Sequence, residues 1–457
     1  MKTLIHDCEA IVTMDNASGE VAGGSILIDN GEIVWLGAGD PGADLARGAE
    51  RVDGRGTVAL PGLINTHHHL YQTLTRVRAM DQGLFGWLKA LYPVWANLDE
   101  EWVETGARLG LAELALSGCA TTTDHHYIFP PGRPGLLEAE IHAASEIGLR
   151  FHPCRGSMDL GESRGGLPPD EIVQDLDAIL AETEEAVRRH HDPRPGAMLR
   201  IAVAPCSPFS VTPELMKESA GLARRLGVRL HTHIAETLDE EEYCRQTYGR
   251  RPLELLDDLG WLGEDVWLAH CVHLSPEDIT AMASSKSGVA WCPTSNLRIA
   301  SGIAPVRDLL MAGARVGLGV DGSASNDGGD LLAEARIGML IQRLGGTAAM
   351  SAREALRVAT RGGAACLGRE DIGSLEVGKR GDVALFDIEG LAHAGADADP
   401  AAALIFCAPQ RVRYLFVEGR AIVRDQRLVQ ADEEAIAAAG HRLGRRIAGG
   451  AYRRVAS

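Results

Sequence analysis

An α/β architecture, a (β/α)8 barrel with a small β-sandwich built from both ends of the chain, is what this sequence predicts. Three observations predict it. Eight short apolar runs recur through the middle of the chain, and each ends in polar residues. Between several of them lie segments with the apolar spacing of amphipathic helices. Toward both ends the pattern changes to the period-two alternation of half-buried strands.

Residues 1–57 form the first part of the expected sandwich. "TLIHDCEAIVTMD" and "GSILIDNGEIVWLG" alternate apolar and polar residues, and Asp29–Gly31 reads as a hairpin turn. The barrel is expected over 58–377. Its eight strands are "VALPGLINTHHH", "CATTTDHH", "RFHPCRGS", "RIAVAPCSP", "RLHTHIAE", "VWLAHCVHL", "GVAWCPTSN" and "VGLGVDGSA". "EEWVETGARLGLAELALSG", "EIVQDLDAILAETEEAVRRH" and "PELMKESAGLARRLG" are helices between them. Residues 378–430 complete the sandwich through "GDVALFDI" and "RYLFVEGRAIVRD", with "VEGR" as the turn. The Ala/Arg-rich tail, 431–457, reads as a helix packed on the outside.

A length of 457 residues suits such a barrel with a smaller companion unit. No apolar run reaches the ~18 residues that suggest a membrane span. "MKTLIHDCEAIVTMD" places acidic residues where an export signal needs an apolar stretch, so a cytoplasmic protein is expected. Nine scattered cysteines without a CxxC pair fit a reducing compartment. A net charge of −18 argues against nucleic-acid partners. The expected partner is a small molecule.

On a barrel of this kind, chemistry sits at the C-terminal ends of the strands. Side chains alternate along a strand, so His67 and His69 share one face and His68 points to the other. The fifth run adds His231 and His233, again on one face, with Glu236 just beyond. The sixth adds His270 and the eighth Asp321. Imidazole and carboxylate groups are the ligands expected for zinc or a similar divalent ion, and iron or manganese would suit the same set.

This arrangement resembles the amidohydrolase superfamily. The resemblance implies His67, His69, His233 and Asp321 as metal ligands, because the family's H-x-x-E spacing selects His233, three before Glu236. His231 is then a neighbour. The fourth strand lacks the bridging Lys or Glu of two-metal members, which implies a single ion, Zn2+ by family expectation. Glu236, His270 and Asp321 are the implied catalytic residues. A bound ion would provide hydroxide from water at neutral pH. Glu236 would shuttle its proton to a ring nitrogen, His270 would hydrogen-bond the developing oxyanion, and Asp321 would take the last proton as ammonia leaves.

"GLINTHHHLYQTLTR", "WLKALYPVWA", "DHHYIFP", "RGSMDLGESRGGLPPD", "APCSPFSVT" and "HTHIAETLDEE" are similar to the branch of the superfamily that deaminates purines, pyrimidines, pterins and s-triazines. The implied substrate is 8-oxoguanine, converted to urate. Guanine, isoxanthopterin or an s-triazine is the alternative. Phe209 in "CSPFSVT" lacks the Arg that accompanies it in guanine deaminases, which disfavours plain guanine. A non-enzymatic scaffold is the reading from another class; it predicts gaps among the strand-end groups, and none of the six is missing. Pairing into a homo-oligomer through exterior helices is left open by the resemblance.

For substrate contact the candidates are Gln72, Trp87 and Arg155. Gln72 can present a donor and an acceptor to a base edge, or bond to rim backbone. Trp87 can stack on a heterocycle or belong to the core. Arg155 can donate to a carbonyl or pair with a carboxylate. Only one of His125 and His126 can face the pocket, and neither is assigned. Cys154, Cys206, Cys271 and Cys292 read as small packing residues, and Asp124 and Glu162 as solvated or structural groups.

Overall fold

The structure is a computed structural model that describes residues 1–17, 19–345, 350–407 and 411–450. The chain opens with β1 (Lys2–Val12), β2 (Glu20–Asp29), β3 (Glu32–Ala38), β4 (Glu50–Asp53) and β5 (Thr57–Pro61). The β2–β3 connection is the expected tight turn. Asn30 and Gly31 both take positive φ, 51° and 81°, and Asp29 pairs with Glu32. Such a turn twists in the same sense as the strands it joins.

The barrel strands follow: β6 (Leu63–Asn65), β7 (Cys119–His126), β8 (Arg150–Ser157), β9 (Ala202–Pro205), β10 (Leu230–Ile234), β11 (Val266–His270), β12 (Gly288–Trp291) and β13 (Arg315–Leu318). They close into a parallel eight-stranded barrel, one strand from each apolar run. Small side chains fill its interior, Cys154, Ala202, Ala204 and Ala290, beside Ile64 and Trp267. The larger apolar cluster lies between the strands and the surrounding helices. Among these are α1 (Leu84–Trp95) and α2 (Glu100–Leu116), the latter capped by the Asp99 carboxylate on the Trp102 N–H.

The chain then returns through β14 (Val383–Asp387), β15 (Tyr414–Val417), β16 (Arg420–Arg424) and β17 (Arg427–Leu428). These strands join those of the N-terminal segment in one nine-stranded sheet, ordered β17-β16-β15-β14-β5-β1-β2-β3, with β4 also on β1. The central seam is antiparallel β5–β14, Pro61 opposite Val383. One boundary therefore moves. Residues 58–61 were expected to begin the barrel, yet they belong to β5 in the terminal sheet, because β14 and β1 satisfy their backbone groups. The crossing falls at Gly62, where a Cβ would lie 2.3 Å from that of Ala120. Only glycine lets the two strands pass so closely.

The tail forms the helix Glu433–Ala448, packed against α2 through Gly440, Leu443 and Ile447; residues 451–457 lie outside the described residues. No helix among the described residues is long and apolar enough to cross a membrane.

Candidate active site at the barrel mouth

His67, His69, His233, Glu236, His270 and Asp321 meet at the C-terminal end of the barrel, all buried. Backbone bonds set their places. The Asp321 N–H donates to the His67 carbonyl at 3.1 Å, and the His125 N–H donates to that of His68 at 2.7 Å. The Asp124 carboxylate accepts the Leu70 N–H at 2.5 Å, which makes Asp124 a buried structural group.

The ring nitrogens are assigned by their partners. His231 donates Nδ1–H to the Trp267 carbonyl at 2.7 Å. Its Nε2 is then an acceptor, and it receives the His67 Nδ1–H at 2.8 Å. His69 donates Nδ1–H to the His125 carbonyl at 2.7 Å, and His233 donates Nδ1–H to the Cys206 carbonyl at 2.8 Å. In His67, His69 and His233 the proton therefore sits on Nδ1, and Nε2 carries a free lone pair. Burial holds His67, His69, His231 and His233 below the ordinary imidazole pKa, which favours the neutral form that a ligand must have.

Those lone pairs converge. His69 Nε2 is 3.1 Å from His233 Nε2, and Asp321 Oδ1 is 3.3 Å from both His67 Nε2 and His69 Nε2. Two ligands bound at about 2.0–2.1 Å to a tetrahedral ion stand about 3.3–3.4 Å apart. His67 Nε2 is buried without a hydrogen bond. Facing lone pairs and an orphaned nitrogen repel one another unless a cation lies between them, so the donor set fits a divalent ion.

Glu236 and His270 flank this set on strained backbone. Ala235, His270, Cys271 and Asp321 all have positive φ, between 51° and 71°. Non-glycine residues adopt that conformation uncommonly, and four of them gather around this one site. Glu240 holds the Glu236 turn in place, its carboxylate accepting the Ala235 and Glu236 N–H groups at 2.8 Å each. Burial raises the Glu236 carboxyl to about 7. His270 Nε2 lies 3.6 Å from Glu236 Oε2 and 3.9 Å from Asp321 Oδ2, while Nδ1–H donates to Asn296 Oδ1 at 2.9 Å. Burial opposes a charge on His270, yet the two carboxylates outweigh it and raise its pKa. Ser295 and Ser325 donate to Asp321 Oδ2 at 2.6 and 3.1 Å.

Above these groups lies a small cavity of about 30 Å3, bounded by His69, His233, Glu236, His270 and Asp321 below and by Leu84, Trp87, Leu88 and Tyr92 of α1 above. Gln72 lines it with neither amide atom hydrogen-bonded, and Gly322 leaves it room, since a Cβ there would sit 2.0 Å from Gln72 Oε1. Trp87 also lines it, its Nε1–H donating to the Ala324 carbonyl at 3.1 Å.

Arg155 does not line the cavity. Its guanidinium stacks over Phe129 and pairs with Glu182 at 2.5 Å, the ion-pair alternative. His125 faces the imidazole cluster, stacked 4.7 Å from His233, and His126 turns away to Glu140 at 2.6 Å. Sequence reasoning left this choice open and passed over Glu240 and Asn296, which carry no spacing signal. All nine cysteines are free; burial pushes Cys206 to about 12 and Cys154, Cys271 and Cys292 well up, consistent with packing roles.

A closed parallel barrel with an imidazole–carboxylate cluster at its C-terminal mouth defines a class: barrel enzymes organised around a cation-type site. The chain belongs to the amidohydrolase family, whose model matches residues 58–422. It is 48% identical to the 8-oxoguanine deaminase of Pseudomonas aeruginosa, over 92% of this chain and 93% of that one. It is 35% identical to an isoxanthopterin deaminase from an unknown prokaryotic organism, over 97% of each chain. The zinc complex of atrazine chlorohydrolase from Arthrobacter aurescens superposes with a TM-score of 0.92 at 37% identity, covering 97% of this chain and 100% of that one. With deaminases among its relatives, the chain is a hydrolase of the deaminase type, acting on C–N bonds.

Proposed function

We propose that this protein is a metal-dependent aminohydrolase that converts 8-oxoguanine and water to urate and ammonia. The observation that carries the metal-dependent class is the convergence of three Nε2 lone pairs and the Asp321 carboxylate beside a carboxyl poised near neutrality. The substrate choice is supported by the 48% identity to an 8-oxoguanine deaminase and by Phe209 without an arginine partner.

His67, His69, His233 and Asp321 would hold one divalent cation, with Zn2+ favoured by the zinc complex of the structural relative. β9, which supplies no Lys or Glu, supports a single ion. Bound there, such a cation lowers the pKa of water to about 7 and so supplies a nucleophile at neutral pH. The protein's own groups do the rest. Glu236, near 7, can take the attacking water's proton and return it to the ring nitrogen beside C2, which makes that carbon electrophilic. His270 donates from Nε2 toward the oxygen that adds at C2. Asp321 accepts the hydroxyl proton and passes it to the amino nitrogen, so that ammonia leaves as the C2–N bond breaks. Gln72 offers its unpartnered amide to the base edge, and Trp87 closes over the ring from α1.

Ammonia release from 8-oxoguanine, guanine, isoxanthopterin and an amino-s-triazine, with metal content measured on the same preparation, tests this reading. The highest kcat/KM is expected on 8-oxoguanine, with one ion per chain. If 8-oxoguanine is the slowest of the four, the substrate assignment falls while the class stands. No ammonia from any of them with loaded protein removes the class. A scaffold would contain well under one ion per chain. The likeness to atrazine chlorohydrolase favours the triazine as the second reading, and the same panel decides it.

A further inference from the structure

A further step rests on the aminohydrolase reading above and concerns which heterocycles the site accepts. α1 spans the barrel mouth. At one side Trp87 is bonded to Ala324, beyond β13, and at the other Phe85 packs 4.9 Å from Phe209, beyond β9. These are the eighth and fourth strands, opposite each other across the barrel. The serine hydroxyls beneath this helix are committed: Ser207 Oγ bonds Ser210 Oγ at 2.8 Å, and Ser325 donates to Asp321 at 3.1 Å.

Tyr92 differs from them. It is 1% exposed, it lines the cavity, and its Oη has no hydrogen bond among the described residues. A buried hydroxyl without a partner destabilises the free protein, so its retention calls for a partner supplied by the ligand. Its electrostatic neighbours are Tyr127 and Cys206, past the second and fourth strands, whereas the free Gln72 amide abuts Gly322 past the eighth. The two unsatisfied groups therefore stand over different parts of the mouth, as the two halves of a bicyclic ligand require.

We propose that the Tyr92 hydroxyl is a specificity-determining group, donating a hydrogen bond to a carbonyl on the ring remote from the scissile amino group. Both 8-oxoguanine and isoxanthopterin, named in two relatives, carry that second-ring carbonyl; guanine and pterin present a C–H there. Burial pushes the Tyr92 phenol well above its ordinary pKa, so it keeps the proton it has to donate. A site that leaves a buried donor unpaired disfavours the analogue lacking the acceptor.

The test compares metal-loaded wild type with Tyr92→Phe on two matched pairs, 8-oxoguanine with guanine and isoxanthopterin with pterin. The preference for the oxo member, as a ratio of kcat/KM, should fall by about ten-fold, the worth of one hydrogen bond. The thermal midpoint should not drop, because the lost oxygen has no partner in the free protein. Equal losses on both members of a pair, or an unchanged ratio, would overturn the assignment while leaving the deaminase reading intact. A wild type that deaminates neither member of either pair sinks that reading, and this inference with it.

Discussion

At the scale of single residues, the site depends on where protons sit. The chain from the Trp267 carbonyl through His231 to His67 leaves His67 Nε2 as a lone pair. His231→Phe keeps a ring stacked on Trp267, now 4.4 Å away, but removes the acceptor that fixes the His67 tautomer. Loss of such an outer partner typically weakens metal affinity by about 10–100-fold, and competition against a chromophoric chelator should show it. Unchanged affinity would refute the relay. Glu236→Gln leaves all four proposed ligands in place and removes the proton carrier. It should retain its metal and lose at least about 10²–10⁴-fold in kcat. Near-normal turnover would take Glu236 out of the mechanism.

At the scale of elements, the loops after β12 and β13 are tied together by one buried carboxylate. Glu334, on the helix Leu331–Gln342, accepts the Thr294 N–H at 3.1 Å and an Asn326 Nδ2–H at 2.7 Å. Those loops carry Asn296, the partner of His270, and Asp321. Burial raises Glu334 from 4.5 to about 7. The folded state therefore keeps a proton that the unfolded chain gives up above about pH 4.5. This contribution to stability is complete below 4.5 and is lost as pH rises through 7. Urea midpoints between pH 4.5 and 8 should fall with pH in the wild type relative to Glu334→Gln; a constant difference would contradict the assignment. Elements of this size were well legible in the sequence. All eight barrel strands and both tight turns follow from apolar runs and turn residues, since those signals are local. The H-x-H pair, His233, Glu236 and Asp321 were legible because strand-end position and spacing mark them. Gln72 and Trp87 were legible as candidates and do line the cavity. Arg155 was not, because the direction of a long side chain depends on Phe129 and Glu182, neither of which its own strand predicts. Tyr92 was hidden for a similar reason: its helix reads as core until its place over the mouth is known.

At the scale of the molecule, barrel and terminal sheet are joined by a buried ion cluster. Arg150, which begins β8, is 1% exposed and reaches Asp382 at 3.0 Å and Glu418 at 2.5 Å, both from the sheet; Arg380 also pairs with Glu418. Two backbone carbonyls, of Gly196 and Ala197, accept its remaining N–H groups at 2.7 and 2.8 Å. Arg150→Met would strip the buried Asp382 carboxylate of its cation and leave Glu418 to Arg380 alone. Breaking a buried pair from one side costs about 3–5 kcal/mol, so a clear drop in the urea midpoint is expected, larger than for Arg47→Met, which removes an exposed pair with Asp44 at 2.6 Å. Equal effects would show that the cluster does not hold the units together.

The seam between β5 and β14 carries a consequence for biosynthesis. Pro61 emerges from the ribosome long before its companion Val383 has been translated. Throughout that interval the early strands expose an unzipped edge, carrying Val58, Ala59 and Leu60, that invites wrong pairing with a neighbouring nascent chain. Overexpression faster than chaperone supply should therefore send this polypeptide into inclusion bodies, and slower translation at low temperature should rescue it.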